Sequence, residues 1–283
     1  MKRYIVAVVS CFLLSLFPAI AQTNSQVKED SVASSVLGVT RKYTVYLPES
    51  YARSANKTYP VLYLLHGHSH RNNGWVNDGQ LQEIADQKME SGKSTEMIII
   101  TPDAGSIRNG YFDTKGWDYE TFFFEEFVPH VETKYRISRD KCSRAIAGFS
   151  MGGGGAVAYA IKHPEMFTAV YAMSALMSLP KPVRRPTMDI EQVEFGRSIL
   201  ANDCVALISY ADEETVKALR TIDWFVDCGD DDFLLDTNTR FFREMKKAEV
   251  PCELRVRDGD HDWKYWSSAL SIALPFVSNS FKK

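Results

Sequence analysis

The sequence is poor in cysteine, has no excess of basic residues and contains no internal repeat. Its 33 Lys and Arg residues stand against 36 Asp and Glu residues, and the formal charge of −3 makes nucleic acid an unfavourable partner. The composition is 45% hydrophobic and 24% charged. Without repeats, that composition predicts one large globular domain with a sizeable buried core.

Five cysteines are present, and Cys11 lies in an N-terminal segment that we expect to be removed. Cys142, Cys204, Cys228 and Cys252 then remain, an even number that would permit disulfides in an exported protein. A domain of this size does not need disulfides to fold. Cys228 and Cys252 are expected at opposite ends of two strands, which argues against that pair.

Residues 1–21 have the features of a cleavable secretory signal peptide. Two basic residues, Lys2 and Arg3, precede an apolar stretch over residues 5–17 and a small-x-small cleavage site over residues 19–21. The apolar stretch is too short for a stable membrane span. A lipoprotein signal ending at Cys11 is disfavoured because only about six apolar residues precede that cysteine. The sequence therefore predicts a secreted or periplasmic protein without stable membrane insertion.

Residues 22–35 are polar and serine-rich, which predicts a flexible lead-in to a domain over residues 36–283. In that domain strands and helices alternate. The predicted strands are residues 40–47, 60–65, 97–101, 144–147, 169–174, 222–228 and 253–256. The predicted helices are residues 80–91, 122–135, 156–162, 237–248 and a last helix from Trp266 onward. This alternation predicts an α/β fold with a mostly parallel central sheet and helices on both faces.

Residues 179–221 interrupt this alternation with a proline-rich stretch over residues 180–186. We expect an irregular insertion there. It is a candidate lid or substrate rim, and a plain surface excursion is an equal alternative.

Ser150 lies at the centre of a G-x-S-x-G motif formed with Gly148 and Gly152. An apolar strand precedes the motif and a helix follows it, so the motif predicts a sharp strand-to-helix turn that exposes a nucleophilic serine. Glycines two residues on either side are needed because a Cβ there would clash with the crossing strand and helix. The N–H of Met151 would then face the oxygen that becomes negatively charged during attack on a carbonyl.

A serine nucleophile needs a histidine base. Where the serine lies in a G-x-S-x-G turn, the chain order is serine, then acid, then histidine. The six histidines are His66, His68, His70, His130, His163 and His261. Four precede Ser150, and His163 lies on the helix that directly follows it. His261 is therefore the predicted base, in a loop directly after the last strand. The acid should follow the preceding strand, where Asp230, Asp231 and Asp232 are all candidates to orient the imidazole.

Three alternating histidines, His66, His68 and His70, follow the strand over residues 60–65. Such spacing could place imidazoles on one strand face as zinc ligands. A metal hydrolase needs further ligands after later strands, and those candidates are already assigned to the serine, histidine and acid. We therefore expect no metal here, and interpret His66-Gly67 as a turn whose following N–H, that of His68, is a second oxyanion donor.

Four motifs in this order resemble the esterase D-like family of α/β-hydrolases, over roughly residues 38–280. The motifs are Leu64-Leu65-His66-Gly67-His68 with Gly74-Trp75, Gly148-Phe149-Ser150-Met151-Gly152-Gly153, Cys228-Gly229-x-x-Asp232-Phe233-Leu234, and Gly259-Asp260-His261-Asp262-Trp263 with Trp266. The resemblance implies an α/β-hydrolase fold, Asp232 as the acid, and His68 as an oxyanion donor where the family has smaller or apolar residues. It implies no cofactor.

Feruloyl and acetyl xylan esterases, tributyrin-type esterases, S-formylglutathione hydrolases, siderophore esterases and mycolyltransferases belong to that family. The predicted export argues against a cytosolic thioester as the substrate. The expected substrate is a small ester or an acylated plant polysaccharide that carries acetyl or feruloyl groups. Generic or siderophore esterase, acyltransferase and non-catalytic binding module are the alternatives. The aromatic residues considered for the substrate pocket are Trp75, Tyr111, Phe112, Trp117 and Trp263, any of which could equally pack in the core. The sequence leaves the oligomeric state open.

Overall fold

The computed structural model describes residues 25–105, 110–179 and 190–281. The predicted signal peptide over residues 1–21, with Cys11, lies outside these residues and stays a prediction. Among the described residues, no helix is long and apolar enough to cross a membrane.

The described part of the chain alternates strands and helices. The strands are β1 (Gln26–Ala33), β2 (Thr40–Leu47), β3 (Val61–Leu65), β4 (Ile98–Pro102), β5 (Asp113–Thr114), β6 (Trp117–Asp118), β7 (Arg144–Phe149), β8 (Ala169–Met173), β9 (Asp223–Gly229) and β10 (Glu253–Arg257). The helices are α1 (Gly74–Asn77), α2 (Leu81–Glu90), α3 (Tyr119–Phe122), α4 (Val128–Lys134), α5 (Met151–Lys162), α6 (Ile190–Ala201), α7 (Cys204–Ser209), α8 (Glu213–Leu219), α9 (Leu235–Lys247) and α10 (Trp263–Ser280). A π-helical turn over Phe123–Phe127 joins α3 to α4.

Eight strands form one sheet in the order β1-β2-β4-β3-β7-β8-β9-β10, and β5 pairs with β6 in a separate hairpin. The six strands from β4 to β10 in that order are parallel to one another. β2 is antiparallel to both of its neighbours. The predicted mostly parallel sheet is confirmed, and its parallel strands all end at one edge.

Successive side chains of the central strands point to opposite faces of the sheet, so they form two cores, one on each face. In β3, Val61, Tyr63 and Leu65 join the larger core, whereas Leu62 and Leu64 face the other. All five residues are fully buried, as expected for a parallel strand covered on both faces. The larger core contains residues of α4, α5 and α9, and the other contains residues of α2 and α10.

The prediction of a flexible lead-in over residues 22–35 is wrong for residues 26–33, which form β1. This strand pairs with β2 along its whole length, from Gln26 opposite Leu47 to Ala33 opposite Thr40. β1 is an edge strand with mostly exposed side chains, so its sequence is polar and its stabilisation comes largely from the backbone ladder. A composition-based prediction does not detect such pairing.

The prediction of an irregular insertion over residues 179–221 is wrong for residues 190–219, which form α6, α7 and α8. Asp203 caps α7 by accepting from the Ala206 N–H at 2.9 Å, and Asp212 caps α8 through the Thr215 N–H at 2.8 Å. Buried residues of α7 belong to the larger core, so α7 is part of the body of the domain. The proline-rich stretch lies outside the described residues, and the lid remains a prediction.

A buried ion pair holds the start of β7 against α4. Arg144 Nε lies 2.7 Å from Glu132 Oε1, and both side chains are 7% exposed. Arg144 also donates to the carbonyls of Met166 and Arg139, at 3.0 and 2.8 Å. The Tyr63 hydroxyl donates to the same Glu132 carboxylate at 3.1 Å. β7 leads directly to Ser150, so this network stabilises the strand that carries the site.

We expect Glu132→Gln to lower the free energy of unfolding by about 3–5 kcal/mol, because it leaves the buried Arg144 guanidinium without its counter-charge. Urea unfolding measures this change. The matched control is Glu244→Gln, which removes an exposed pair with Lys247 and should cost less than about 1 kcal/mol. Equal losses in the two variants would contradict a stabilising role for the buried pair.

Candidate active site

Ser150 lies at the turn between β7 and α5 in a strained backbone conformation. Its φ is +54°, in the left-handed region that non-glycine residues rarely occupy. The Ser150 N–H donates to the Met173 carbonyl at 3.0 Å, and the Ser150 carbonyl accepts from the Leu176 N–H at 2.8 Å. The neighbouring strand β8 and the segment after it therefore hold the strained residue from both of its main-chain groups.

The two flanking glycines are required by close backbone contact. A Cβ on Gly148 would lie 2.5 Å from the backbone of Gly152, and a Cβ on Gly152 would lie 2.5 Å from the His66 carbonyl oxygen. Real Cβ atoms do not approach backbone atoms so closely, so any larger residue would force the strand and helix apart. The spacing of the motif follows from this contact.

The structure brings Ser150, His261 and Asp232 into one hydrogen-bonded chain. His261 Nε2 is 2.9 Å from Ser150 Oγ, and His261 Nδ1 is 2.8 Å from Asp232 Oδ2. Asp232 follows β9 and His261 follows β10, so residues far apart in sequence meet at the edge where the parallel strands end. The arrangement can remove a proton from the serine hydroxyl and hold the resulting imidazolium against a carboxylate.

The carboxylate of Asp232 is buried and held in its ionised form. Burial by itself would raise the pKa of Asp232, but the hydrogen bonds from His261 and from the Leu234 N–H, at 2.8 Å each, outweigh it and lower that pKa. A carboxylate that stays ionised keeps accepting from the imidazole N–H. It therefore fixes the tautomer in which Nε2 faces Ser150.

The other two candidate acids lie in the same loop with different partners. Asp230 Oδ1 accepts from the Gly259 N–H at 3.0 Å, which joins the loop after β9 to the loop after β10. Asp231 is exposed, and its N–H donates to the Gly259 carbonyl at 3.1 Å. The loop therefore presents one of its three carboxylates to His261.

His66 is a fully buried histidine that supports the turn after β3. Its Nδ1–H donates to the Gly67 carbonyl at 2.8 Å, and its Nε2 accepts from the Ala104 N–H at 3.1 Å. The Tyr111 hydroxyl accepts from the His66 N–H at 2.8 Å and donates to its carbonyl at 3.0 Å. Burial lowers the pKa of His66 to about 4, so the ring is a neutral structural element.

The two predicted oxyanion residues lie in different segments, Met151 directly after Ser150 and His68 in the turn that follows β3. Met151 is the first residue of α5, where backbone N–H groups have no partner within the helix and carry the positive end of the helix dipole. His68 follows Gly67, whose missing side chain is needed because a Cβ there would lie 2.4 Å from the Phe149 ring. The turn thus approaches the residue that directly precedes Ser150.

Two of the three alternating histidines have ring nitrogens engaged with other partners. His66 is engaged with Gly67 and Ala104, while His70 Nε2 accepts from the Trp263 indole N–H at 3.2 Å. Over the described ranges, no group of three or more His, Cys, Asp or Glu side chains is arranged to hold a metal ion. The cysteines Cys142, Cys204, Cys228 and Cys252 are all free thiols.

The aromatic residues that the sequence offers as candidates for the substrate pocket divide into two groups. Trp75, Tyr111 and Phe112 are core residues, whereas Trp117 and Trp263 are partly buried. Phe233 was not among these candidates, although it is 74% exposed and has its ring centroid 4.6 Å from that of His261. Its position directly after Asp232 is a sequence signal, but exposure beside the imidazole depends on the loop conformation.

Comparisons with known proteins bear on the family and the fold. The family model Esterase, described as "Putative esterase", matches residues 34–277. A solved structure of a ferulic acid esterase is 51% identical, with a TM-score of 0.88, and the match covers 92% of this chain and 99% of that one.

Curated relatives include an endo-1,4-beta-xylanase/feruloyl esterase of Xylanibacter ruminicola, 30% identical over 159 residues, which are 53% of this chain and 21% of that protein. An acetyl esterase of Caldicellulosiruptor saccharolyticus is 24% identical over 233 residues, which cover 77% of this chain and 83% of that one. Four relatives that are 30–33% identical are longer proteins, and the match spans 11–31% of their length.

The family model covers most of the chain, and the sheet order and the strand-turn-helix at Ser150 match the expected fold. The chain belongs to the Esterase family and has the α/β-hydrolase fold.

Proposed function

We propose that this protein is a serine carboxylesterase in which Ser150, His261 and Asp232 form the catalytic triad. The observation that carries the proposal is the continuous hydrogen-bonded chain from Ser150 Oγ through the His261 imidazole to Asp232, with distances of 2.9 and 2.8 Å. Both distances are within the range for general base catalysis. The strained conformation of Ser150 supports the same assignment, because such strain occurs at functional sites.

In the proposed reaction His261 Nε2 removes the Ser150 proton as Oγ attacks the ester carbonyl. The N–H groups of Met151 and His68 stabilise the negative charge on the carbonyl oxygen. His261 then donates its proton to the departing alcohol and leaves an acyl-enzyme. Water, activated by His261, attacks this ester, and the acid product leaves with Ser150 restored. No step requires a metal or an organic cofactor.

The proposed substrates are acetyl or feruloyl esters on plant cell-wall polysaccharide. Support comes from the 51% identical structure of a ferulic acid esterase and from relatives named feruloyl esterase and acetyl esterase. The predicted signal peptide would place the enzyme outside the cytoplasm, where such polymers are found. Polysaccharide or small-ester substrates are the proposed partners.

Replacement of the triad residues should lower turnover by orders of magnitude while leaving the fold intact. We expect Ser150→Ala and His261→Ala each to lower kcat by about 10⁶-fold, because either change removes the acyl-transfer pathway. Asp232→Asn should lower kcat by about 10³ to 10⁴-fold through the wrong imidazole tautomer. Initial rates on p-nitrophenyl acetate, with circular dichroism to verify folding, measure these effects.

The matched control for the acid is Asp230→Asn, which keeps a side chain that can still accept from the Gly259 N–H. We expect its kcat to remain within about tenfold of the wild type, because its carboxylate does not contact His261. A large loss from Asp230→Asn together with full activity of Asp232→Asn would overturn the assignment of the acid.

The turn that carries His68 should depend on a neutral His66. The pKa of His66 is about 4 in the folded protein and near 6.5 in the unfolded chain, so the unfolded chain takes up the proton first as the pH falls. The His66 contribution to stability is therefore complete above about pH 6.5 and declines down to about pH 4. Nitrogen NMR should show a neutral ring protonated at Nδ1 at pH 5.5, and titration near pH 6.5 would contradict this.

The substrate class is tested with p-nitrophenyl acetate, p-nitrophenyl butyrate, methyl ferulate and acetylated xylan, using wild type and Ser150→Ala side by side. We expect Ser150-dependent release of acetate or ferulate from the plant substrates. Activity on the p-nitrophenyl esters alone would indicate a generic short-chain esterase. Ester formation with an added sugar acceptor would indicate acyl transfer, and a Ser150 unreactive towards an organophosphonate would indicate a binding module.

Phe233 should contact the alcohol side of a bulky ester, because the departing oxygen must lie within hydrogen-bonding distance of His261 Nε2 and Phe233 packs on that imidazole. We expect Phe233→Ala to lower kcat/KM on feruloylated oligosaccharides by about tenfold, equivalent to about 1.4 kcal/mol of lost contact. Methyl ferulate should be affected less than about twofold. The control is Tyr210→Ala, which removes another exposed aromatic side chain, directly after α7. Equal losses on both esters in Phe233→Ala would contradict this role.

A further inference from the structure

A buried carboxylate beneath the site joins the strands that carry the acid and the base. Asp227 lies in β9, is fully buried, and accepts hydrogen bonds from three side chains. Arg257 donates to it through Nε and Nη2 at 3.2 and 3.1 Å. The Tyr265 hydroxyl donates to Oδ1 and the Tyr171 hydroxyl to Oδ2, each at 2.5 Å.

Two of these partners flank the loop that carries His261. Arg257 is the last residue of β10, and Tyr265 lies in the first turn of α10. The Arg257 guanidinium also lies 4.3 Å from the centre of the Tyr265 ring and donates to Ser268 at 3.0 Å. The single carboxylate of Asp227 therefore connects the elements at both ends of the loop over residues 258–262.

The Tyr265 ring reaches the loop itself. Gly259 has a φ of +150°, and a Cβ at this position would lie 2.4 Å from the Tyr265 ring. Asp262, the residue after His261, caps α10 by accepting from the Tyr265 N–H at 2.8 Å. A shift of Tyr265 would therefore move the backbone on both sides of His261.

The same loop is bound to the loop that carries the acid. The Asp230 N–H donates to the Arg257 carbonyl at 3.0 Å, and the Asp231 N–H to the Gly259 carbonyl at 3.1 Å. A Cβ on Gly229 would lie 2.1 Å from the Gly259 oxygen, so the two loops are in direct backbone contact. Asp227 lies on β9, which leads into the loop that carries Asp232. Its carboxylate also binds the residues on either side of the loop that carries His261.

We propose that Asp227 and Tyr265 are positioning residues that set the location of His261 relative to Ser150 and Asp232. Neither side chain belongs to the hydrogen-bonded chain at Ser150, and both are buried, at 0% and 3% exposure. They act on turnover through the position of the base. The inference rests on the proposed catalytic triad, since it assigns a function to the placement of His261.

Tyr171 provides a matched control within the same network. Its hydroxyl donates to the same carboxylate at the same distance, and it is also buried. Burial, together with the charge of Asp227, raises the pKa of both tyrosines, so both hydroxyls remain protonated donors. Tyr171 lies within β8, a strand paired on both sides, and is not part of the His261 loop.

The test compares Tyr265→Phe with Tyr171→Phe, each of which removes one hydroxyl from Asp227 and little else. We expect Tyr265→Phe to lower kcat by about tenfold or more with KM within about twofold, because a small displacement of the base weakens catalysis without altering substrate contacts. Tyr171→Phe should keep kcat within about twofold, although the melting temperatures of the two variants fall by similar amounts. Both are measured on methyl ferulate and p-nitrophenyl acetate.

Equal kcat values in the two variants, whether reduced or unchanged, would overturn the positioning role and leave Asp227 as a stabilising carboxylate. A rise in KM in Tyr265→Phe that accounts for its whole loss would also overturn it. Ser150→Ala is assayed in parallel. Full activity of Ser150→Ala would mean that the proposed function has failed, whereas an inactive Ser150→Ala with equal tyrosine variants would mean that the positioning inference alone has failed.

Discussion

The close backbone contact between β7, α5 and the end of β3 is the constraint on which the site depends. Gly148 and Gly152 allow this contact, and it leaves Ser150 in a left-handed conformation at the tip of the turn. The helix then starts directly behind the serine, so that the first N–H groups of α5 point to the same region. Strain at one residue is thus offset by packing across three elements.

The parallel sheet brings the remaining residues to that point. The six parallel strands end at one edge, which carries the loops after β3, β7, β9 and β10, with β8 between β7 and β9. The loops after β9 and β10 are further joined by backbone hydrogen bonds and by the buried carboxylate of Asp227. Loops fixed in this way can hold an imidazole within hydrogen-bonding distance of two partners from distant parts of the chain.

Much of the fold could be predicted from the sequence, because buried parallel strands are continuous apolar runs and turns carry glycine and proline. β2 was predicted with its observed bounds, and the strand at β8 to within one residue. The edge strand β1 was missed because its side chains are mostly exposed and its stabilisation comes from pairing with β2. The helices α6 to α8 were missed because the proline-rich stretch before them favours irregular structure in that region.

The sequence by itself determined the identity of the nucleophile motif, since G-x-S-x-G between a strand and a helix reflects a local steric requirement. It also predicted His261 as the base, since chain order excluded the other histidines. The sequence pattern left Asp230, Asp231 and Asp232 equivalent, and resemblance alone favoured Asp232. Tertiary structure decided among them, because backbone hydrogen bonds between the loops after β9 and β10 direct one carboxylate inward to His261 and leave the others at the surface. Those bonds join residues about 27 positions apart, which no local pattern encodes.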